Sequence, residues 1–259
     1  MTHDPKDWDP GTYQRFRGLR LRPALDLLLR LGEPPEGEVV DLGCGDGAVA
    51  GPLRQVLPDR RLVGVDSSPA MIGHAQGYDE TRLAEIAHWA PDEPPAVIFS
   101  NAALHWVPHH DVLFPLLVGF LRPGGVLAVQ MPRQFDAPSH RLLRDLAEGV
   151  FPDRFQFGDW VPPVAPPAAY HRLLAHLGEV EVWETEYLQP LQPVAEGHPV
   201  RAFTQSTALR PFAARLGEGE LREFLETYDE ALAIAYPAEA DGTVLFPFRR
   251  LFLVLARGD

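Results

Sequence analysis

The chain has 259 residues, 46% of them hydrophobic, and a formal net charge of −13. That length fits one α/β domain with an insertion, and the apolar content is enough for a full core. The acid excess argues against a nucleic-acid partner and against docking on an anionic membrane, because phosphate binding needs a basic face; it leaves room for a local arginine cluster that meets a small anion.

Lys6 is the only lysine, so the basic side chains are almost all arginines. Cys44 is the only cysteine, which excludes an intrachain disulfide and a multi-cysteine zinc site. The first residues show no basic segment followed by an apolar one. The longest apolar stretch, 112–121, falls far short of the roughly 20 residues of a membrane span. A cytoplasmic protein is expected.

Residues 19–31 (LRLRPALDLLLRL) place apolar side chains at helical spacing and stop at Gly32, a natural C-cap. Residues 37–42 are a short apolar run into a glycine turn and read as a buried strand. Residues 48–57 read as the helix leaving that turn, with Pro52 in its first turn. A second strand is expected at 61–66, and a second helix at 68–75 with Ser68 as N-cap and Pro69 as first helical residue. Strands at 81–89 and 96–100, a helix at 111–121, the turn Pro123-Gly124-Gly125 and a strand at 126–131 follow. Beyond Met131 the rhythm changes. Helices are expected at 139–150, 168–177, 200–207 and 218–235, with a proline-punctuated loop at 159–167. An alternating strand is expected at 179–187, and a closing strand at 243–256. Strands alternating with helices predict βαβ units and a mostly parallel, doubly wound, Rossmann-like sheet of seven strands. A helical lid at 1–31, a cofactor-binding core at 32–131 and a C-terminal part at 132–259 with a helical cap near 189–240 complete the expected plan.

The loop Asp41-Leu42-Gly43-Cys44-Gly45-Asp46-Gly47 lies between a strand and a helix, where glycines let a ligand approach the backbone. Asp66 ends the next strand, and a carboxylate there accepts hydrogen bonds from ribose hydroxyls. A nicotinamide dinucleotide fits this pattern too, since Gly43, Gly45 and Ala48 satisfy G-x-G-x-x-A with Asp66 at the right distance. Asp41 shifts the balance. It would repel a pyrophosphate and welcome the α-ammonium and sulfonium of S-adenosylmethionine.

Further motifs extend along the chain: Trp8-Asp-Pro-x-x-Tyr13-x-x-Phe16, Arg20-Leu-Arg22-Pro23, Asp66-Ser-Ser-Pro-Ala-Met71, Asn101-Ala-Ala-Leu-His105-Trp106, VLAVQMP at 126–132, Leu209-Arg210-Pro211-Phe212 and Arg250-Leu251-Phe252. With these the chain resembles the class I S-adenosylmethionine-dependent methyltransferases, and within them the trans-aconitate 2-methyltransferases. The resemblance implies that Asp41, Gly43 and Gly45, with Cys44 between them, line the methionine moiety. It implies that Asp66 holds the ribose and that Ser67 and Met71 flank the adenosine. Glu85, with Ile86 beside it, would receive the adenine amino group, and Asn101 would lie under the sulfonium. Glu85 stands where most relatives carry Asp, and Ala208 where a glycine is common.

Methyl transfer from a sulfonium is an in-line displacement that needs alignment and exclusion of water. A carboxylate acceptor is ionised at neutral pH and needs no general base, only arginines to grip it. Arg210 and Arg250 are the first candidates, with Arg249 and Arg133 behind them. His105 would serve a hydroxyl or amine acceptor as base, or stand as a polar wall residue. Trp106 would pack against cofactor or substrate, or fill the core. Trp8, Tyr13 and Phe16 would cover the cofactor or dock on the sheet, and Arg20 would touch substrate or pair with an acid. His109-His110 reads as a helix cap, not a metal pair. Three functions follow: a small-molecule O-methyltransferase for a polycarboxylate such as trans-aconitate, a methyltransferase for another small acceptor with His105 as base, or a non-catalytic protein that binds S-adenosylmethionine.

Overall fold

The computed structural model describes residues 17–205 and 207–258. Trp8, Tyr13, Phe16 and the side chain of Arg20 lie outside the described residues. Helix α1 (Arg17–Leu28) leads to β1 (Val39–Leu42), α2 (Ala50–Val56), β2 (Leu62–Asp66), α3 (Pro69–Ile72), β3 (Glu80–Leu83), β4 (Val97–Asn101), α4 (His110–Phe120) and β5 (Val126–Pro132). Then come α5 (Pro138–Val150), α6 (Pro167–Leu174), β6 (Gly178–Leu191), α7 (Pro199–Thr204), α8 (Arg210–Ala213), α9 (Glu218–Ala235) and β7 (Val244–Arg257). The seven strands make one sheet in the order β3-β2-β1-β4-β5-β7-β6. Strands β1 to β5 run parallel, and β7 lies antiparallel to β5. The expected doubly wound, mostly parallel sheet is the observed one.

Every residue of β1 is buried, as are the first four of β2 and β4, because helices cover both faces of a parallel sheet. The chain reverses its winding between β1 and β4, so a crevice opens there beyond the C-terminal strand ends.

Contacts divide the chain into two units. One holds the described residues up to Pro132, with Pro163–Thr185 and the chain from Arg250; the other holds Arg133–Pro162 and Glu186–Arg249. In the second unit α5 and α9 are tied where the Tyr228 hydroxyl donates to Ser139 O at 2.5 Å and Ser139 N donates to the Tyr236 hydroxyl at 3.1 Å. Phe212 stacks on Phe155 and Phe224, with ring centroids 5.6 and 6.2 Å apart. Arg154 grips Glu220 with both terminal nitrogens, at 2.8 and 2.6 Å. Among the described residues no helix is long and apolar enough to cross a membrane, and no group of His, Cys, Asp or Glu could hold a metal ion.

Several element ends differ from the sequence reading by three residues or more, among them those of α1, α3, β3, α6, α7 and β6. Helix α1 ends at Leu28, and the amides of Arg30 and Leu31 then turn back to carbonyls three residues away, tightening the chain before Gly32. The third strand stops at Leu83 rather than 89. Its partner β2 ends at Asp66, so pairing runs out, and Glu85 begins a 3₁₀ turn at Ile86–His88. Helix α8 was not expected at all, since its four residues give no periodicity to read.

Candidate active site

Side chains alternate across a strand, so the pairing register decides which of them share a face. Asp41 pairs with Gly64 and with Phe99. Asn101 pairs with Gln130, Gln130 with Phe252, and Pro132 with Arg250. Asp66, Asp41, Asn101, Gln130 and Arg250 therefore stand on one face of the sheet, near the C-terminal ends of β2, β1, β4 and β5. Acids occupy one end of this row and an arginine the other.

The glycine loop is built on the acidic end. Gly43 has φ +83°, and a Cβ on it would collide with Ala103 Cβ and come within 3.6 Å of Ile86. Only glycine fits that position, and the contact brings together β1, the turn after β3 and the turn after β4. Gly43 and Cys44 donate to Val65 O at 2.8 and 2.9 Å. Asp66 accepts from Gly45 N at 2.8 Å on one oxygen and from Ser68 N at 2.9 Å on the other. A carboxylate accepts at several lone-pair sites, the chemistry that a ribose hydroxyl uses. Ser68 caps α3 by accepting from Met71 N at 3.1 Å, which buries Met71 and leaves Ser67 exposed. Glu85 is exposed and faces His88, 3.1 Å from its carboxylate.

Asp41 is 1% exposed and accepts from the Tyr78 hydroxyl at 2.6 Å. Burial pushes its carboxyl up to about 7 against the pull of that hydrogen bond, and neighbouring Asp66 adds to the rise. Tyr78 fits because Gly64 lacks a side chain; a Cβ there would stand 3.0 Å from the Tyr78 ring and from Cys44 Sγ. The sequence reading missed Tyr78. A lone tyrosine in a loop carries no signal of the buried acid it will meet.

Past β4 the chain turns through Ala102, at φ +55°, into a 3₁₀ turn at Leu104–Trp106. A left-handed non-glycine residue at a strand end is strained, and here Ala102 N donates to Gln130 O at 2.8 Å to hold it. His105 is half-buried and lies against Trp106, ring centroids 4.7 Å apart. Trp106 is 48% exposed, so it does not fill the core. His110 anchors the turn from below: Nε2 lies 2.9 Å from Leu104 O and Nδ1 2.6 Å from the Tyr170 hydroxyl.

Arg250 is 4% exposed and its Nη1 donates to Gln130 Oε1 at 3.4 Å. In the second unit, Arg133 N donates to Arg249 O at 2.9 Å, Arg249 pairs with Glu186 at 3.6 Å, and the half-buried Arg210 begins α8. Each unit thus carries candidate arginines.

A methyltransferase-domain family model matches residues 13–178. The trans-aconitate 2-methyltransferase of Klebsiella pneumoniae is 42% identical over 258 residues, covering 98% of this chain and 99% of that one. The Azoarcus protein of the same name is 40% identical, over 96% of this chain and 99% of that one. This chain belongs to the class I S-adenosylmethionine-dependent methyltransferases.

Solved structures agree on the fold of this methyltransferase. The YcgJ protein of Bacillus subtilis matches with TM-score 0.57 at 13% identity, over 92% of this chain and 99% of that one. A Haemonchus contortus phosphoethanolamine N-methyltransferase, solved with S-adenosylhomocysteine, matches with TM-score 0.51 at 15% identity. It is the longer chain: 92% of this methyltransferase spans 53% of it. The residues present fit the family's cofactor. The loop is open at Gly45, where nothing lies within 4 Å of the place of a Cβ, and Asn101 Oδ1 is buried with no hydrogen-bond partner among the described residues, an acceptor suited to a cationic N–H donor.

Proposed function

We propose that this methyltransferase esterifies a carboxylate of trans-aconitate, as a cytoplasmic enzyme acting on a free small metabolite. The observation that carries this reading is Arg250, a guanidinium buried on the same sheet face as Asn101 and seated beside Gln130. Relatives at 40–42% identity across the full chain carry the trans-aconitate name.

When bound, S-adenosylmethionine supplies an electrophilic methyl group. The chain's residues then sort by charge. Asp41, Asp66 and Asn101 suit the cationic and hydroxyl groups of the cofactor, with Ser67, Met71, Glu85 and Ile86 flanking its adenosine. Arg250 suits an anionic acceptor, as a guanidinium donates charge-assisted hydrogen bonds to a carboxylate. The acceptor is already ionised at neutral pH, so no proton needs to move. His105 and the half-exposed Trp106 then wall the acceptor and exclude water.

Replacement of Arg250 by Met tests the assignment, because methionine keeps an unbranched side chain at that place and removes the charge and its donors. The expected result is an acceptor KM raised by roughly 10- to 100-fold with S-adenosylhomocysteine affinity kept, as suits a charge-assisted hydrogen bond. With cofactor saturating, kcat for trans-aconitate should be flat between pH 6 and 8. An unchanged KM, or a basic limb near pH 6–7 that His105→Ala removes, would move the assignment to a hydroxyl or amine acceptor.

A further inference from the structure

Strand β5 reads Val-Leu-Ala-Val-Gln-Met-Pro, and its one polar side chain, Gln130, is 0% exposed. Its Oε1 faces Arg250 Nη1 at 3.4 Å. A guanidinium can only donate, so the carbonyl end of the amide must point toward Arg250, and this settles which end is which. The other end, Nε2, is buried and has no hydrogen-bond partner among the described residues. One strand away, in direct register, Asn101 Oδ1 is also buried without a partner. The row thus holds two orphans of opposite character, a donor and an acceptor, that do not satisfy each other.

A buried donor left unmade is costly, so it persists where a ligand supplies the acceptor. Gln130 is also held in place. Its main-chain carbonyl accepts from Ala102 N, and its cross-strand partner Phe252 stacks on Trp183 with ring centroids 5.0 Å apart.

We infer that Gln130 Nε2 reads the reacting carboxylate of the acceptor, donating to one of its oxygens beside the positive charge of Arg250. This rests on the carboxylate reading above. The chemistry favours an amide at that place. A guanidinium fork on both oxygens would occupy the nucleophile, whereas a single neutral N–H orients the group and leaves the second oxygen free. That oxygen forms the bond to the methyl carbon as the carbon–sulfur bond breaks, and its electron pair leaves with sulfur. A neutral donor also withdraws less charge from the attacking group than a cation would.

The test uses Gln130→Met, which keeps the bulk and removes the donor, and Gln130→Glu, which keeps an acceptor toward Arg250 and replaces the donor by a negative charge. Titration of trans-aconitate into each enzyme saturated with S-adenosylhomocysteine reads acceptor binding without turnover. Both variants should bind S-adenosylhomocysteine as the parent does, and trans-aconitate roughly 10- to 100-fold more weakly, Gln130→Glu the weaker of the two. If Gln130→Met does not fold, Gln130→Glu alone decides. Acceptor binding within twofold of the parent, or an equal loss of S-adenosylhomocysteine affinity, overturns the inference. A parent enzyme that forms no methyl ester from trans-aconitate instead overturns the carboxylate reading itself.

Discussion

A carboxylate buried as Asp41 is has two uses, and its titration separates them. With its folded value at about 7, above its ordinary one, the folded chain binds a proton that the unfolded chain has released. Its contribution to stability is therefore present below about pH 4 and lost as the pH rises to about 7. Cofactor binding runs the other way, because the ionised form attracts an ammonium group. Affinity for S-adenosylhomocysteine should rise by up to about tenfold between pH 6 and 8, and Asp41→Asn should abolish that dependence; calorimetric titration across the range checks it. An affinity that stays flat in the parent protein would remove Asp41 from the cofactor's surroundings. At this scale the sequence was readable where chemistry repeats locally. The glycines after β1 and Asp66 after β2 announce themselves, whereas Tyr78 acts only through a partner 37 residues away. Gln130 did leave a sign, a lone amide inside an apolar strand, but such a sign points to no role until the register sets it beside Asn101.

The turn at Leu104–Trp106 shows how a three-residue element is kept rigid. His110 Nε2 faces a carbonyl and so carries the proton, while Nδ1 accepts from Tyr170, whose oxygen accepts from Ala165 N at 3.3 Å. Burial holds His110 below its usual range and keeps it neutral at pH 7. Because its folded value is lowered, the contribution is present above the ordinary histidine range near 6.5 and lost as the pH falls below it. His110→Ala should cost about 1–3 kcal/mol in denaturant unfolding, from two partly buried hydrogen bonds and the space the ring leaves. It should also lower kcat more than it weakens cofactor binding, since the carbonyl it holds belongs to the turn that carries His105 and Trp106. Wild-type stability and kcat in that variant would make the contact incidental. Periodicity predicted α4 and α9 within a residue or so of their ends, but a 3₁₀ turn or a four-residue helix such as α8 is shorter than the window in which periodicity exists.

At the scale of the whole molecule, a net charge of −13 opposes a polyanionic substrate. That repulsion comes from exposed charges and is screened within about 8–10 Å at physiological salt, whereas the attraction of buried Arg250 is screened far less. The value of kcat/KM for trans-aconitate should therefore rise severalfold as salt goes from low to physiological concentration, which steady-state rates at fixed pH would show. A fall over the same range would place the governing charges at the surface. The alternation of strands and helices made the sheet legible because each βαβ crossover repeats the same hydrophobic pattern. The chain passes between the two units four times: the change of rhythm beyond Met131 and the proline-punctuated loop at 159–167 stand beside the crossings at 132–133 and 162–163, whereas those at 185–186 and 249–250 lie inside β6 and β7, where no break in pattern marks them.

Cys44 has a practical meaning beyond its place in the loop. It is the chain's sole thiol, it is buried, and burial beside Asp41 and Asp66 holds it protonated and therefore unreactive. Alkylation must wait for the loop to open, so the labelling rate times local opening at the cofactor site without any added probe. A cysteine introduced at any exposed position becomes the one handle that reacts quickly, and the protein arrives ready for site-specific spectroscopy without first being stripped of its own cysteines.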